Sequence, residues 1–305
     1  YIRGDPYMNS DHILNKRQLR ASFERASAEY DKVSMLQREV NDRMLSRLDY
    51  IKCNPLSILD AGSGTGYGGR KLACRYPKTK ILALDLALSM HHQARPMASS
   101  WWKQIFSAQK NITNYVCGDI EQLPIRGSSI DLIWSNLSLQ WCNNIEDTFS
   151  EMYRVLKQEG LFMFSTFGPD TLHELRQAFL GMDDKNHVNH FIDMHDIGDI
   201  LVYRGFSMPV MDMEYITLTY DDVISVMREL KAMGAHNVLH ERKRGLTGKV
   251  GWQKVLNNYE SFRKNGKLPV TFELVYGHAW KLESKKNTDG QNIIEFDPKA
   301  RLVRD

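Results

Sequence analysis

The chain has 305 residues, 42% hydrophobic and 25% charged, enough apolar material for a sizeable soluble core. A formal net charge of +3 is too small to imply a nucleic-acid partner, and no apolar run approaches the roughly 20 residues of a membrane span. Cys53, Cys74, Cys117 and Cys142 are scattered without a Cys-x-x-Cys pair. They read as buried thiols in a reducing compartment, which makes the cytoplasm the expected location and a zinc site or disulfide framework unexpected.

Residues 1 to 15 are polar. From Lys16 to about Tyr50, apolar residues at Val33, Leu36, Val40, Met44 and Leu48 recur at three- and four-residue steps, with Phe23, Ala26 and Tyr30 upstream. That spacing predicts a long N-terminal helix packed on the domain that follows. Ile58 to Gly66 then reads Ile-Leu-Asp-Ala-Gly-Ser-Gly-Thr-Gly. A strand ends near Asp60, and Gly62, Gly64 and Gly66 turn the backbone so closely that a ligand can lie against it. The helix expected from Tyr67 to Tyr76 points its positive end at that turn. A second apolar run, Ile81 to Leu84, ends at Asp85. It lies about 20 residues past the turn, where a carboxylate can hold both hydroxyls of a ribose.

These residues announce a nucleoside-bearing ligand. A nucleoside triphosphate is disfavoured, because no Lys-Ser or Lys-Thr follows the last glycine. Gly64, Gly66 and Gly69 satisfy a dinucleotide fingerprint, but Asp60 would repel a pyrophosphate and suits a positive group such as the amino end of a methionine moiety. An NAD-dependent oxidoreductase is therefore the weakest reading.

Further strands are predicted at Ile112–Cys117, Ile130–Ser135 and Leu161–Phe167, with helices around Ser89–Gln109 and Ile145–Leu156. The alternation argues a doubly wound, mainly parallel α/β sheet. Gly118, Asp119 and Ile120, and Ser135, Asn136 and Leu137, follow strand ends and should face the same crevice as the glycines. Past residue 168 come a helix at about Asp170–Leu180, a His-rich segment, a helix near Ile197–Tyr203, and two long strands, Val210–Tyr220 and Val270–Lys281. His187, His190 and His195 match no metal-ligand spacing, and His236 and His240 read as a surface loop, so no metal is expected. Helices at about Asp221–Met233 and Lys249–Lys264 form an insertion before the last strand, longer than a hairpin needs and suited to a lid. Glu283 to Asp305 reads as a tail. The expected units are 1–50 as a helical cap, 51–220 as the core, 221–267 as the lid and 268–305 as the last strand and tail.

Seven stretches together resemble one family. They are Phe-Glu-Arg-Ala-Ser-Ala-Glu-Tyr-Asp at 23–31, Leu-Asp-Ala-Gly-Ser-Gly-Thr-Gly at 59–66, Gly-Asp-Ile-Glu-Gln-Leu-Pro at 118–124 and Ser-Asn-Leu-Ser-Leu-Gln-Trp-Cys at 135–142. Tyr-Arg-Val-Leu-Lys at 153–157, Leu-Lys-Ala-Met-Gly-Ala-His at 230–236 and Leu-Pro-Val-Thr-Phe-Glu-Leu-Val-Tyr-Gly-His at 268–278 continue the match. The chain is similar, from about 16 to 281, to the malonyl-acyl-carrier-protein O-methyltransferases of biotin synthesis, the BioC family of class I S-adenosylmethionine-dependent methyltransferases. Some motifs also occur in respiratory complex I assembly factors that modify an arginine of a protein partner, the alternative reading.

The resemblance implies a Rossmann-like methyltransferase with a seven-stranded sheet whose last strand is antiparallel, and a helical lid. It implies that Asp60, Gly62 and Gly64, with Ser63 and Gly66 in the same loop, hold the methionine part of S-adenosylmethionine. Asp85 with Leu86 would take the ribose, Asp119 with Ile120 the adenine, and Ser135 would lie on the same rim. The implied reaction is an in-line displacement by a carboxylate that is already ionised at neutral pH, so no general base is required. An arginine is expected to hold the carboxylate, with Arg154, Arg176 and Arg263 as candidates. Tyr30 is expected to close over the substrate. The partner would be malonyl-acyl carrier protein or malonyl-CoA. The basic run of Arg242, Lys243, Arg244, Lys249, Lys254, Arg263, Lys264 and Lys267 would meet an acidic carrier.

Overall fold

Seven strands pair into a single sheet in the computed structural model, which describes residues 13–98, 113–182, 188–232 and 248–282. The strands are β1 (Ser57–Ala61), β2 (Lys80–Asp85), β3 (Thr113–Cys117), β4 (Ile130–Asn136), β5 (Leu156–Phe167), β6 (Ser207–Tyr220) and β7 (Leu268–Lys281). Their order is β3-β2-β1-β4-β5-β7-β6. β1 to β5 are mutually parallel, and only β7 is reversed, pairing antiparallel with both β5 and β6. Strand order reverses between β1 and β4, where Asp60 stands opposite Trp134. Beyond the carboxyl ends of those two strands lies the crevice where such sheets bind ligands.

Because side chains alternate across a strand, neighbouring residues feed two separate cores. Ile58, Ile81, Leu132, Trp134 and Leu161 pack on one face, beneath α3 (Met35–Arg47) and α4 (Tyr67–Arg75). Leu59, Leu84, Ile133 and Phe162 pack on the other, against α6 (Ile145–Val155) and α8 (Met194–Tyr203). At the reversed strand Gly277 faces Phe164, whose ring would lie 2.2 Å from any Cβ placed there.

The long N-terminal helix expected from the sequence is broken into α1 (Lys16–Ala26), α2 (Tyr30–Val33) and α3. Ser34 leaves helical geometry at φ −84°, ψ 33°, and Arg38 covers the exposed carbonyl of Asp31 at 2.8 Å. The break turns α2 towards the glycine loop, where Thr65 donates to Asp31 Oδ1 at 2.5 Å. A continuous helix could not make that contact. The helix begun at residue 88 is described as α5 (Leu88–Ala98), and the expected continuation to Gln109 lies outside the described residues. α7 (His173–Phe179), α9 (Val223–Ala232) and α10 (Lys249–Glu260) complete the set, with α9 and α10 between β6 and β7 as the predicted insertion. Asn258 and Lys254 of α10 donate to Ala178 O and Gly181 O, tying the insertion to α7 and the turn after it. His187, His236, His240, Arg242 to Arg244 and the tail from Glu283 lie outside the described residues.

Candidate active site

The glycine loop is pinned to the end of β2. Gly62 and Ser63 both donate to Leu84 O, at 2.8 and 2.9 Å, while Gly64 N donates to Asp85 Oδ2 at 2.8 Å. The other Asp85 oxygen accepts from Ala87 N at 2.9 Å. Gly62 and Gly64 sit at φ 82° and 52°, a region other residues enter at a cost. At Gly62 a Cβ would also lie 2.4 Å from Ser138 Cβ. Both the curve of the loop and its clearance thus require glycine there.

Asp60 is 3% exposed and lies against the start of α4, its Oδ2 3.2 Å from the Cβ position at Gly69. Burial pushes its carboxyl up to about 7, and the Asp85 charge adds to that push. Beside it a small cavity of about 50 Å³ is bordered by Gln37 and Asn41 of α3, Ser63, Gly64 and Tyr30. Four polar atoms of its lining are buried without a partner: Gln37 Oε1, Asn41 Nδ2, Asp60 Oδ2 and Ser63 Oγ. Unpaired buried polar atoms are costly, and a cluster of them marks a place built for a ligand. Two acceptors, one amide donor and one hydroxyl complement an ammonium and a carboxylate on one carbon, so the set fits the amino-acid end of S-adenosylmethionine.

A larger cavity of about 340 Å³ opens from the same loop. Asp85, Leu86, Asp119 and Ile120 line one end. Burial raises the Asp85 carboxyl above its ordinary value. Asp119 Oδ1 accepts from Lys16 Nζ at 3.0 Å and from Glu121 N at 3.1 Å, so α1 closes over this end. The opposite end is walled by Phe167, Leu172, Leu175, Val188, Phe191 and Phe272, with Met227 and Leu230 of the insertion. Tyr30 lines both cavities, with Cε1 3.7 Å from the Cβ position at Gly64. Burial, reinforced by Asp85 and Asp31, raises its phenol well above its ordinary value and keeps it protonated.

The structure places several of the sequence-based site residues away from both cavities. None of Arg154, Arg176 and Arg263 lines either cavity. Arg154 pairs with Glu151 and donates to the carbonyls of Leu123 and Ile125. Arg176 donates to Pro169 O at 2.9 Å, and Arg263 is held by Glu260, Asp221 O and Gly266 O. Each guanidinium clamps a turn of its own neighbourhood. Ser135 is fully buried and bonds Ser138 Oγ at 2.7 Å, and it is Ser138 that reaches the larger cavity. Gly66 lines neither cavity but starts α4 in a left-handed conformation, φ 78°. Sequence reasoning missed Lys16, Gln37, Asn41, Gln140 and Asn189. Asn41 had a signal, being a polar residue within the Val40–Met44 stripe. Among the described residues no cluster of His, Cys, Asp and Glu could hold a metal ion.

Residues 59–164 match the family described as a methyltransferase domain. The chain is 62% identical over 281 residues to a malonyl-acyl-carrier-protein O-methyltransferase of Nitrosospira multiformis, covering 90% of this chain and 92% of that protein. It belongs to that family. A relative of the same name from Gallionella capsiferriformans is 54% identical, over 96% of this chain and all of that one. The YcgJ protein of Bacillus subtilis, 16% identical with a TM-score of 0.55 over 79% of this chain and 98% of its own, shares the fold. The malonyl-acyl-carrier-protein O-methyltransferase family uses S-adenosylmethionine, the cofactor whose amino-acid end the small cavity fits.

Proposed function

We propose that the enzyme methylates the free carboxyl of a malonyl thioester held on an acyl-carrier protein, at the place in biotin synthesis that the family resemblance implies. The relatives carry that activity in their names. The observation that carries the reading is the acceptor end of the larger cavity. Among the described residues the only carboxylates lining the cavity are Asp85 and Asp119, at the nucleoside end, and no described histidine lines it. An amine or hydroxyl acceptor would need a base there; a carboxylate needs none.

S-adenosylmethionine supplies an electrophilic methyl on a positively charged sulfur. Asp60 and Gln37 would take its ammonium, Asn41 and Ser63 its carboxylate, Asp85 its ribose and Asp119 with Ile120 its adenine. Phe167, Leu172, Leu175 and Phe191 exclude water from the attacking oxygen. Opposite charges on carboxylate and sulfonium cancel as the bond forms, so an apolar chamber raises the starting state more than the transition state. A tightly paired arginine would oppose this by stabilising the ionised carboxylate, and no arginine is among the described lining residues. Release is then of a neutral ester. With saturating cofactor, kcat should stay flat from about pH 7.5 to about pH 9. A sigmoidal rise in that range, measured on malonyl-carrier protein, would reveal a titrating base and overturn the reading.

The carrier would dock on the insertion, which exposes Lys254 and Lys264 and lends Met227 and Leu230 to the lining of the cavity. Charge complementarity to an acidic carrier supports that placement.

A further inference from the structure

Two buried amide oxygens of the larger cavity have no use in the account above. Gln140 follows β4 within the Ser-Asn-Leu-Ser-Leu-Gln-Trp stretch, and Asn189 precedes α8. Gln140 Oε1 and Asn189 Oδ1 are both buried without a hydrogen-bond partner, and both residues line the cavity. For Gln140 the orientation is set by its own Nε2, which donates to Leu137 O at 2.7 Å. A carbonyl accepts only from the NH₂ group, so the oxygen is the atom left over. Asn189 is 9% exposed and stands between Val188 and Phe191, two members of the apolar wall. Unpaired acceptors in such a wall cost free energy unless a donor arrives with the ligand.

A malonyl thioester cannot be that donor. Its carboxylate, its carbonyl and its sulfur are all acceptors. The donors of the cofactor are already matched to Asp60, Gln37, Asp85 and Asp119. What remains is the arm on which carrier proteins and coenzyme A hold their thioesters, whose first amide N–H lies two carbons from the sulfur. We propose that Gln140 and Asn189 recognise amide N–H groups of that arm, so that the enzyme selects thioesters by the arm as well as by the malonyl group. The inference rests on the carboxyl-methylation reading and adds the substrate's second recognition element.

The test compares two small substrates with the whole chain. One is the malonyl thioester of N-acetylcysteamine, and the other is its ketone isostere, in which CH₂ replaces the N–H. The isostere keeps length, carbonyl and sulfur and removes one donor. Wild-type kcat/KM should favour the amide by about tenfold or more, since a site built around a hydrogen bond rejects the analogue that lacks it. In Asn189→Leu or Gln140→Leu that ratio should collapse to within about threefold, with binding of S-adenosylhomocysteine reporting that the variant is folded. A wild-type ratio near one overturns the inference while leaving carboxyl methylation standing. Methylation of malonyl-carrier protein but of neither small compound shows selection by the carrier and overturns the inference alone; methylation of none of the three, with S-adenosylhomocysteine bound, overturns the methylation reading and the inference with it.

Discussion

We propose that Asp60 couples cofactor binding to pH. With its carboxyl pushed up to about 7 by burial, it holds a proton in the folded chain that the unfolded chain has lost between about pH 4 and pH 7. Its contribution to the stability of the cofactor-free protein is therefore present at low pH and lost as pH rises through that window. An ammonium beside Asp60 Oδ2 favours the carboxylate, so binding below pH 7 must expel the proton. Calorimetry of S-adenosylhomocysteine in two buffers of different ionisation enthalpy should show proton release near pH 6, with affinity rising towards pH 7. Both effects should vanish in Asp60→Asn, and their persistence there would assign the proton to another group. Asp85→Ala should weaken S-adenosylhomocysteine by roughly 30-fold, the worth of charge-assisted hydrogen bonds to the ribose. That the glycines and these two carboxylates gather at one loop was legible in the sequence, because backbone clearance ties glycine to a close turn at a strand end. The arginines were not. Arg154, Arg176 and Arg263 sit in polar, helix-like contexts, and nothing local says that each guanidinium turns onto a neighbouring carbonyl.

Among the elements, the sheet was readable and the N-terminal helices were only half so. The apolar stripe of α3 correctly located the helix that covers Ile58 and Trp134. It concealed that Asn41 and Gln37 turn polar atoms into the small cavity, and that the chain breaks at Ser34. Such a break is a tertiary outcome, favoured by the Asp31–Thr65 contact and invisible to periodicity. β7 was legible as a long strand, though not the reason for its glycine. Gly277→Ala would drive a methyl into the Phe164 ring, so it should cost about 2 kcal/mol or more and lower the melting temperature by several degrees, read by calorimetry. An unchanged melting temperature would show that the β5–β7 pair relaxes around the ring.

The molecule as a whole joins three regions: a pinned glycine loop, an apolar chamber and an insertion that carries part of the chamber wall. Docking through the insertion should depend on ionic strength. Lys264→Glu, which leaves the anchoring contacts of Asn258 and Lys254 in place, should raise KM for malonyl-carrier protein by about threefold and leave a malonyl thioester of N-acetylcysteamine nearly unaffected. Equal loss on both substrates would place Lys264 in folding and not in docking. This layout was read from the sequence as an insertion, but its anchor to α7 through Asn258 and Lys254 needed the structure.

Carboxyl methylation is tested most directly by offering labelled S-adenosylmethionine to malonyl-carrier protein, acetyl-carrier protein and the unloaded carrier. Label should appear on the malonyl form alone, as a base-labile ester. Label on the acetyl form or the bare carrier, or none anywhere with the cofactor bound, would contradict the account.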